Sequence, residues 1–356
     1  MLPPQAPMLA RLTRDLPVAP GLVYEPKWDG FRSLVFRSGY DTVDLRSRHD
    51  RPLARYFPEL VDAFRRLEAP EFALDGEIVV MGADGTLDFA ALLARLHPAT
   101  SRVERLRAET PARFIAFDLL AAGPDDLRDR PFAQRRRRLE ELLAEAPAPI
   151  LLTPATGDPE VAAGWLRFAG GGVDGVVAKA ADLRYQPGKR AMVKVKAQRT
   201  ADCVVAGFRL YGGVAEPVLS SLLLGLYDEG GALRHVGVVG AFAAAERARV
   251  LDHVVPEVTA LEGHPWAGGF GVGPNPAGRL QGSAGRWTPD LPLDWVPLRP
   301  VLVAEVAYDQ LEGDRFRHPA RFRHWRPDRD PRSCTFEQFG DAEHVDAAAL
   351  LAGDRL

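Results

Sequence analysis

The stretch Glu25-Pro26-Lys27-Trp28-Asp29-Gly30-Phe31-Arg32 contains one of only five lysines in 356 residues. The others are Lys179, Lys189, Lys194 and Lys196, so four of the five fall between 179 and 196. Taking these five from 45 basic residues leaves 40 arginines. A chain so biased toward Arg has little use for Lys as a generic charge. Lys offers an amine that deprotonates and attacks, which Arg cannot. Lys27 is therefore read as a nucleophile that forms a covalent intermediate. Gly30 lets backbone approach a bound ligand closely.

Other chemistry-bearing residues recur along the chain. Arg32 and Arg48 can hold phosphate or ribose oxygens, or make surface salt bridges. Asp75-Gly76-Glu77-Ile78-Val79 sets acids within an apolar strand. A carboxylate there needs a partner, a metal or an exposed edge. Val173-Asp174-Gly175-Val176-Val177-Ala178-Lys179 repeats that logic and ends on a lysine. Mg²⁺ that bridges phosphates takes one or two carboxylates, which makes Glu77 and Asp174 candidate ligands. Arg190 and Met192-Val193-Lys194-Val195-Lys196 complete the set, and period 2 puts Lys194 and Lys196 on one face of a strand. Two such cations repel unless an anion lies between them. They are also expected to depress a neighbouring lysine's pKa. Phe117 can stack on a base or simply fill core.

These groups need strands to hold them. Residues 22–25 and 31–37 read as strands flanking a loop that carries Lys27, with a third at Thr42–Ser47. Helical spacing follows at Tyr56, Leu60, Phe64 and Leu67. Phe72–Val80 reads as a strand, and Asp88 caps a helix through Leu96. Arg113–Leu120 reads as a buried strand. Residues 131–145 form a helix whose run Arg135-Arg136-Arg137-Arg138 is expected to be a solvated face, with DNA contact as the alternative. Further strands are read at Ile150–Thr153, Gly175–Lys179 and Ala191–Lys196, with an Asp158-capped helix between. Residues 1–20 read as a lead-in arm anchored by Met8-Leu9-Ala10.

Near Gln198 short β segments take over, at 202–210, 219–228 and 232–239, before a helix around 243–254. Strands are read again at 300–308 and 315–325, then a polar tail. Residues 263–297 read as a long surface excursion. The expected domains are 1–198 and 199–356.

A net charge of -3 does not advertise a nucleic-acid partner, but it hides local patches. The two cysteines, Cys203 and Cys334, lack metal-ligand spacing and read as reduced and structural, which fits a cytoplasmic compartment. No signal peptide and no membrane segment are expected.

Taken in order, Lys27-Trp28-Asp29-Gly30 with Arg32, Ser47-Arg48, Leu74-Asp75-Gly76-Glu77, Phe117-Asp118, Asp174 to Lys179 and Lys194-Val195-Lys196 resemble the successive motifs of the covalent nucleotidyltransferase superfamily. Its members include ATP-dependent DNA ligases, RNA ligases and capping guanylyltransferases. Glu25 to Arg32 and Asp174 to Lys179 look most like bacterial ATP-dependent DNA ligases, particularly the small ligase C type. Arg326, Asp328 and Arg329 resemble the C-terminal motif that orients pyrophosphate, with Arg where many relatives carry Lys. Asp174 stands where most ligases carry Glu. Asp is one methylene shorter, which leaves open whether it meets metal directly or through water.

The resemblance implies an α+β nucleotidyltransferase domain, ATP-grasp-like, of antiparallel sheets and helices, followed by an OB-fold β-barrel. It implies ATP as substrate, Mg²⁺ (Mn²⁺ as the alternative), a lysyl-AMP intermediate on Lys27 and sealing of 5′-phosphate/3′-hydroxyl nicks in duplex DNA. Glu25 and Phe117 are expected at adenine, with Arg32, Arg48 and Glu77 at ribose and phosphate. Glu77 and Asp174 are expected at metal. Arg190, Lys194, Lys196 and Arg326 are expected at phosphates, and Lys179 at phosphate or Asp29. The second domain is expected to swing about residues 197–201. Lys27 near the N-terminus is expected to leave no room for an upstream clamping domain, which favours a repair or accessory role. Repair-complex proteins are expected partners of a monomer associated with the nucleoid. An RNA ligase, a guanylyltransferase or a non-catalytic OB-fold nucleic-acid-binding protein are the alternatives.

Overall fold

The computed structural model describes residues 6–167, 170–197, 199–212, 217–267, 295–309, 311–339 and 346–353. The chain divides into two compact units, Met1–Ala197 with Glu343–Leu356, and Gln198–Ala342.

The first unit is built on two sheets. Its strands are β1 (Leu9–Thr13), β2 (Leu22–Trp28), β3 (Phe31–Ser38), β4 (Thr42–Ser47), β5 (Glu71–Val80), β6 (Ala112–Ala122), β7 (Asp125–Asp126), β8 (Ile150–Leu152), β9 (Val173–Ala180) and β10 (Arg190–Lys196). One sheet runs β1-β10-β9-β2, and the other β4-β3-β5-β6-β7 with β8 beside β6. All pairings are antiparallel except β1 with β10 and β6 with β8. The helices are α1 (Pro58–Arg65), α2 (Phe89–Ala94), α3 (Thr100–Glu109), α4 (Phe132–Leu143) and α5 (Pro159–Arg167).

Local chemistry explains several of these boundaries. Asp88 accepts a hydrogen bond from the Ala91 amide and starts α2. The apolar stripe Leu60, Ala63 and Phe64 turns α1 onto the second sheet, where Phe64 meets Phe114 and Phe72 at centroid distances of 5.2 and 6.0 Å. Each such side chain contributes about 1.5–3 kcal/mol by leaving water.

Three expectations about this unit are corrected, and one helix is added. Lys27 lies within β2, not on a loop, because the strand continues to Trp28 and only Asp29-Gly30 turn. In the run 135–138, Arg135 is fully buried rather than solvated: it meets Asp118 at 2.7 and 2.9 Å and the carbonyls of Arg130 and Leu183. Helix α3 was not foreseen, since its polar sequence buries only Val103 and Leu106. The chain does not end in a polar tail of the second domain. Ala347–Ala352 form a helix capped by Asp346, and Ala347 and Leu350 join the first unit's core beside Trp165 and Leu87.

The second unit continues with β11 (Arg199–Leu210), β12 (Leu219–Tyr227), β13 (Leu233–Val239), α6 (Ala244–Val254), β14 (Val296–Tyr308), β15 (Leu311–Glu312), β16 (Arg315–Phe316) and β17 (Arg321–Trp325). Its main sheet runs β13-β12-β11-β14-β17 and is antiparallel. A bridge between Val239 and Ala320 brings its two edges together, as an OB-fold barrel requires. The strand expected at 315–325 is broken in two at His318-Pro319, where proline has no amide to donate. Of the expected excursion, residues 268–294 lie outside the described residues. Its flanks are core rather than surface: Trp266 is buried, donates to the Leu233 carbonyl at 2.8 Å and packs against Trp295.

Candidate active site

A cavity of about 440 Å³ opens in the first unit. It is lined by Glu25, Lys27, Arg32, Arg48, Glu77, Phe117, Lys179, Arg190, Lys194 and Lys196, all candidates from sequence. Strand geometry explains how they converge. Alternation sets Glu25 and Lys27 on one face of β2. Every second residue of β10, namely Arg190, Met192, Lys194 and Lys196, lines the same cavity. Across the sheet, Lys27 and Lys196 both pair with Gly175 of β9. A side chain there would collide with the Val195 carbonyl and Lys196, and Gly175 holds φ +152°, so glycine is required. The two amines therefore flank a position with no side chain.

Phe117 reaches the cavity through a β-bulge. The β5–β6 register shifts between Asp75 opposite Asp118 and Gly76 opposite Ala116, which leaves Phe117 as the extra residue. Its ring has the Arg32 guanidinium 5.3 Å and the Lys179 ammonium 5.1 Å from its centroid.

Lys27 Nζ donates to Asp174 Oδ2 at 2.6 Å, and Lys196 lies 3.9 Å from the same oxygen. Burial pulls the Lys27 pKa down, but Asp174, with help from Glu77 and Asp29, outweighs it and leaves Lys27 above the ordinary lysine value. Asp174 thus outweighs any depression that Lys194 and Lys196 supply, and the net shift of the nucleophile is upward where a downward one was expected. Lys194 itself is lowered, by burial and by Lys27, Lys196, Arg48 and Arg190. That crowding of cations is what a bound polyphosphate would relieve.

Glu77 is pushed up to about 8 by burial, against the pull of Lys27 and Arg32. A bound cation would offset the burial that keeps this carboxyl from ionising. Among the described residues no group of three or more His, Cys, Asp and Glu gathers as a metal site. Glu77 and Asp174, both close enough to raise Lys27, fit the two-carboxylate set that Mg²⁺ uses when phosphates and water supply the rest.

Glu25 and Lys179 form a buried ion pair at 2.6 Å, and Arg136 of α4 approaches Glu25 at 3.5 Å. Burial raises the Glu25 pKa despite both cations. Lys179 also donates to the Phe117 carbonyl at 3.1 Å. It thus holds Glu25 and the bulge together, where a contact with phosphate or Asp29 was expected. Arg32 makes a two-pronged pair with buried Asp75, at 3.0 and 2.7 Å. Arg326 stands on the second unit, clamped by Asp202 at 3.1 Å and Asp328 at 2.9 Å, with Arg329 3.6 Å from Asp202.

Sequence reading missed several contributors. Leu9, Ala10 and Leu12 of β1 line the cavity. Trp28 Nε1 donates to Thr153 Oγ1 at 2.9 Å and holds the end of the lysine strand. Tyr185 donates to Asp75 at 2.6 Å. The run Tyr185-Gln186-Pro187-Gly188 reads only as a turn, and nothing in its spacing announces a contact with residue 75.

Comparison with known proteins follows the same outline. Residues 7–196 match the ATP dependent DNA ligase domain and residues 215–329 the ATP dependent DNA ligase C terminal region. DNA ligase C2 of Mycolicibacterium smegmatis is 52% identical over 97% of this chain and 96% of its own length. DNA ligase C of Mycobacterium tuberculosis is 49% identical over 100% of this chain and 99% of its own. A solved structure of Lig E DNA ligases, 18% identical, covers 90% of this chain and 99% of that one with a TM-score of 0.51, which speaks to the fold. The chain belongs to the ATP-dependent DNA ligases. No helix among the described residues is long and apolar enough to cross a membrane.

Proposed function

We propose that this chain seals 5′-phosphate/3′-hydroxyl nicks in duplex DNA, with ATP as co-substrate and Lys27 as the nucleophile, in DNA repair. The observation that carries this reading is the convergence of Lys27, Arg32, Lys194 and Lys196 on one cavity beside the carboxylates Glu77 and Asp174. Lys27 Nζ, once it has lost a proton, attacks the α-phosphorus of ATP. A P–N bond forms and pyrophosphate leaves. The adenylyl group then passes to a 5′-phosphate oxygen at the nick, freeing Lys27. The 3′-hydroxyl attacks that activated phosphorus, and AMP leaves as the phosphodiester forms.

The remaining residues of the cavity orient and neutralise. Arg190, Lys194 and Lys196 face the polyphosphate, while Arg32 and Arg48 hold ribose and phosphate oxygens. Phe117 stacks on the adenine ring, and Glu25, fixed by Lys179, faces its edge. Glu77 and Asp174 would hold Mg²⁺, which would supply charge neutralisation at phosphate.

Incubation with α-labelled ATP and Mg²⁺ tests the central step. Label should attach to the unsubstituted protein and be absent from both Lys27→Ala and Lys27→Arg, because charge alone does not replace the amine. Retained label on either variant excludes Lys27. Sealing assays on nicked DNA and on RNA-containing nicks, with ATP against GTP, separate this reading from an RNA ligase or a guanylyltransferase.

A further inference from the structure

We propose that Tyr185 is a positioning residue of the nucleotide pocket, whose single hydroxyl fixes both Arg32 and the wall formed by β1. The inference rests on the reading that this cavity holds ATP.

Four groups lie in one line. The Met8 amide donates to Tyr185 Oη at 3.0 Å, and Tyr185 Oη donates to Asp75 Oδ2 at 2.6 Å. Asp75 in turn accepts both prongs of Arg32, which lies over the Phe117 ring. Tyr185 and Asp75 are both buried, so no water competes for these bonds. At the far end, Met8 precedes β1, which pairs with β10 and puts Leu9, Ala10 and Leu12 against the cavity. The hydroxyl thus spends its proton on the carboxylate that aims Arg32 and its lone pair on the amide that seats β1. Without it, the Met8 amide is left buried without an acceptor, and Asp75 keeps only Arg32. Tyr185 itself does not line the cavity, so its effect is on orientation and not on chemistry.

Tyr24 provides an internal control. Its hydroxyl, on a core residue of β2, donates to the Pro17 carbonyl at 2.8 Å. That bond ties down the same N-terminal arm by a different residue, and it spends the hydroxyl proton on a carbonyl rather than on Asp75.

The test measures single-turnover labelling of Lys27 with α-labelled ATP across ATP concentrations, in the full chain. Tyr185→Phe should raise the concentration for half-maximal labelling about tenfold while changing the saturating rate less than threefold. Tyr24→Phe should leave both within twofold. Melting curves of both variants, with assays held below the lower transition, keep unfolding out of the comparison. Unchanged half-saturation in Tyr185→Phe overturns the proposal. Equal weakening in both variants also overturns it, because general loosening of the arm then suffices. If the unsubstituted protein takes no label, the nucleotide reading itself fails; label that is insensitive to Tyr185 defeats only this inference.

Discussion

Lys27 Nζ and Asp174 Oδ2 are 2.6 Å apart, so the nucleophile rests as an ammonium paired to a carboxylate. An ammonium does not attack phosphorus, so the pair must open and the proton must leave before chemistry begins.

Asp174→Asn should therefore alter the pH dependence of Lys27 labelling. The protonated amine is inactive, so labelling rises with pH as Lys27 loses its proton. Asp174 holds the Lys27 pKa above the ordinary value, and its removal leaves burial as the dominant influence. The acid limb of the profile should move to lower pH. In the same variant, half-maximal labelling should demand more Mg²⁺. A limb that moves upward contradicts the electrostatic account, and unchanged Mg²⁺ demand removes Asp174 from the metal set.

Arg135→Met should destabilise the first unit by about 3–5 kcal/mol, because it strands the buried Asp118 carboxylate. It also leaves the carbonyls of Arg130 and Leu183 without their donor. Urea titration reads the loss. Combining it with Asp118→Leu should recover much of it, since an apolar pair has no charge left unpaired. A single variant as stable as the parent would return Arg135 to the solvated face expected from sequence.

Below neutral pH the second unit should weaken through His235. Burial, with Arg315 and Arg209 nearby, lowers its pKa from 6.5 to about 3. Between those values the unfolded chain binds a proton that the folded unit refuses. Stability is therefore present above pH 6.5 and is lost as pH falls toward 3. His235→Phe, which keeps a ring beside Trp266, should flatten the dependence of melting temperature on pH over that window. An equally steep fall in the variant would place the acid sensitivity elsewhere.

Lys194 and Lys196 were legible as a pair because strand periodicity is simple, and the other charged residues of the cavity because their motifs resemble those of the ligases. Residues two apart share a face, and that rule brings Lys194 and Lys196 together, while Arg190 joins them because the strand starts one residue earlier than its sequence suggests. What escaped depends on long-range pairing. Asp75 was read as an acid in need of a partner, but its partners come from residues 32 and 185. Arg135 was assigned to solvent because its neighbours in sequence are arginines. Only the fold reveals that Asp118, turned away from Phe117 by the bulge, is waiting under the helix. The C-terminal helix escaped for a similar reason: its short apolar run gains meaning only beside the far-off Trp165. The strands of the second unit were legible from their β-rich texture, and the break within the last of them falls around Pro319.

The parallel pairing of β1 with β10 joins residues 9–13 to residues 190–195. A parallel neighbour so distant in sequence cannot form early, because closing that span costs chain entropy before any contact repays it. During synthesis the strand made first must wait for the strand made tenth. The cavity thus closes only after β10 is made, and the unit is complete later still, when the helix Ala347–Ala352 reaches the core beside Trp165. A nascent chain with the aromatic contacts of Phe64, Phe72 and Phe114 but without β10 lacks one wall of the cavity, so the site is assembled later than the core beneath it.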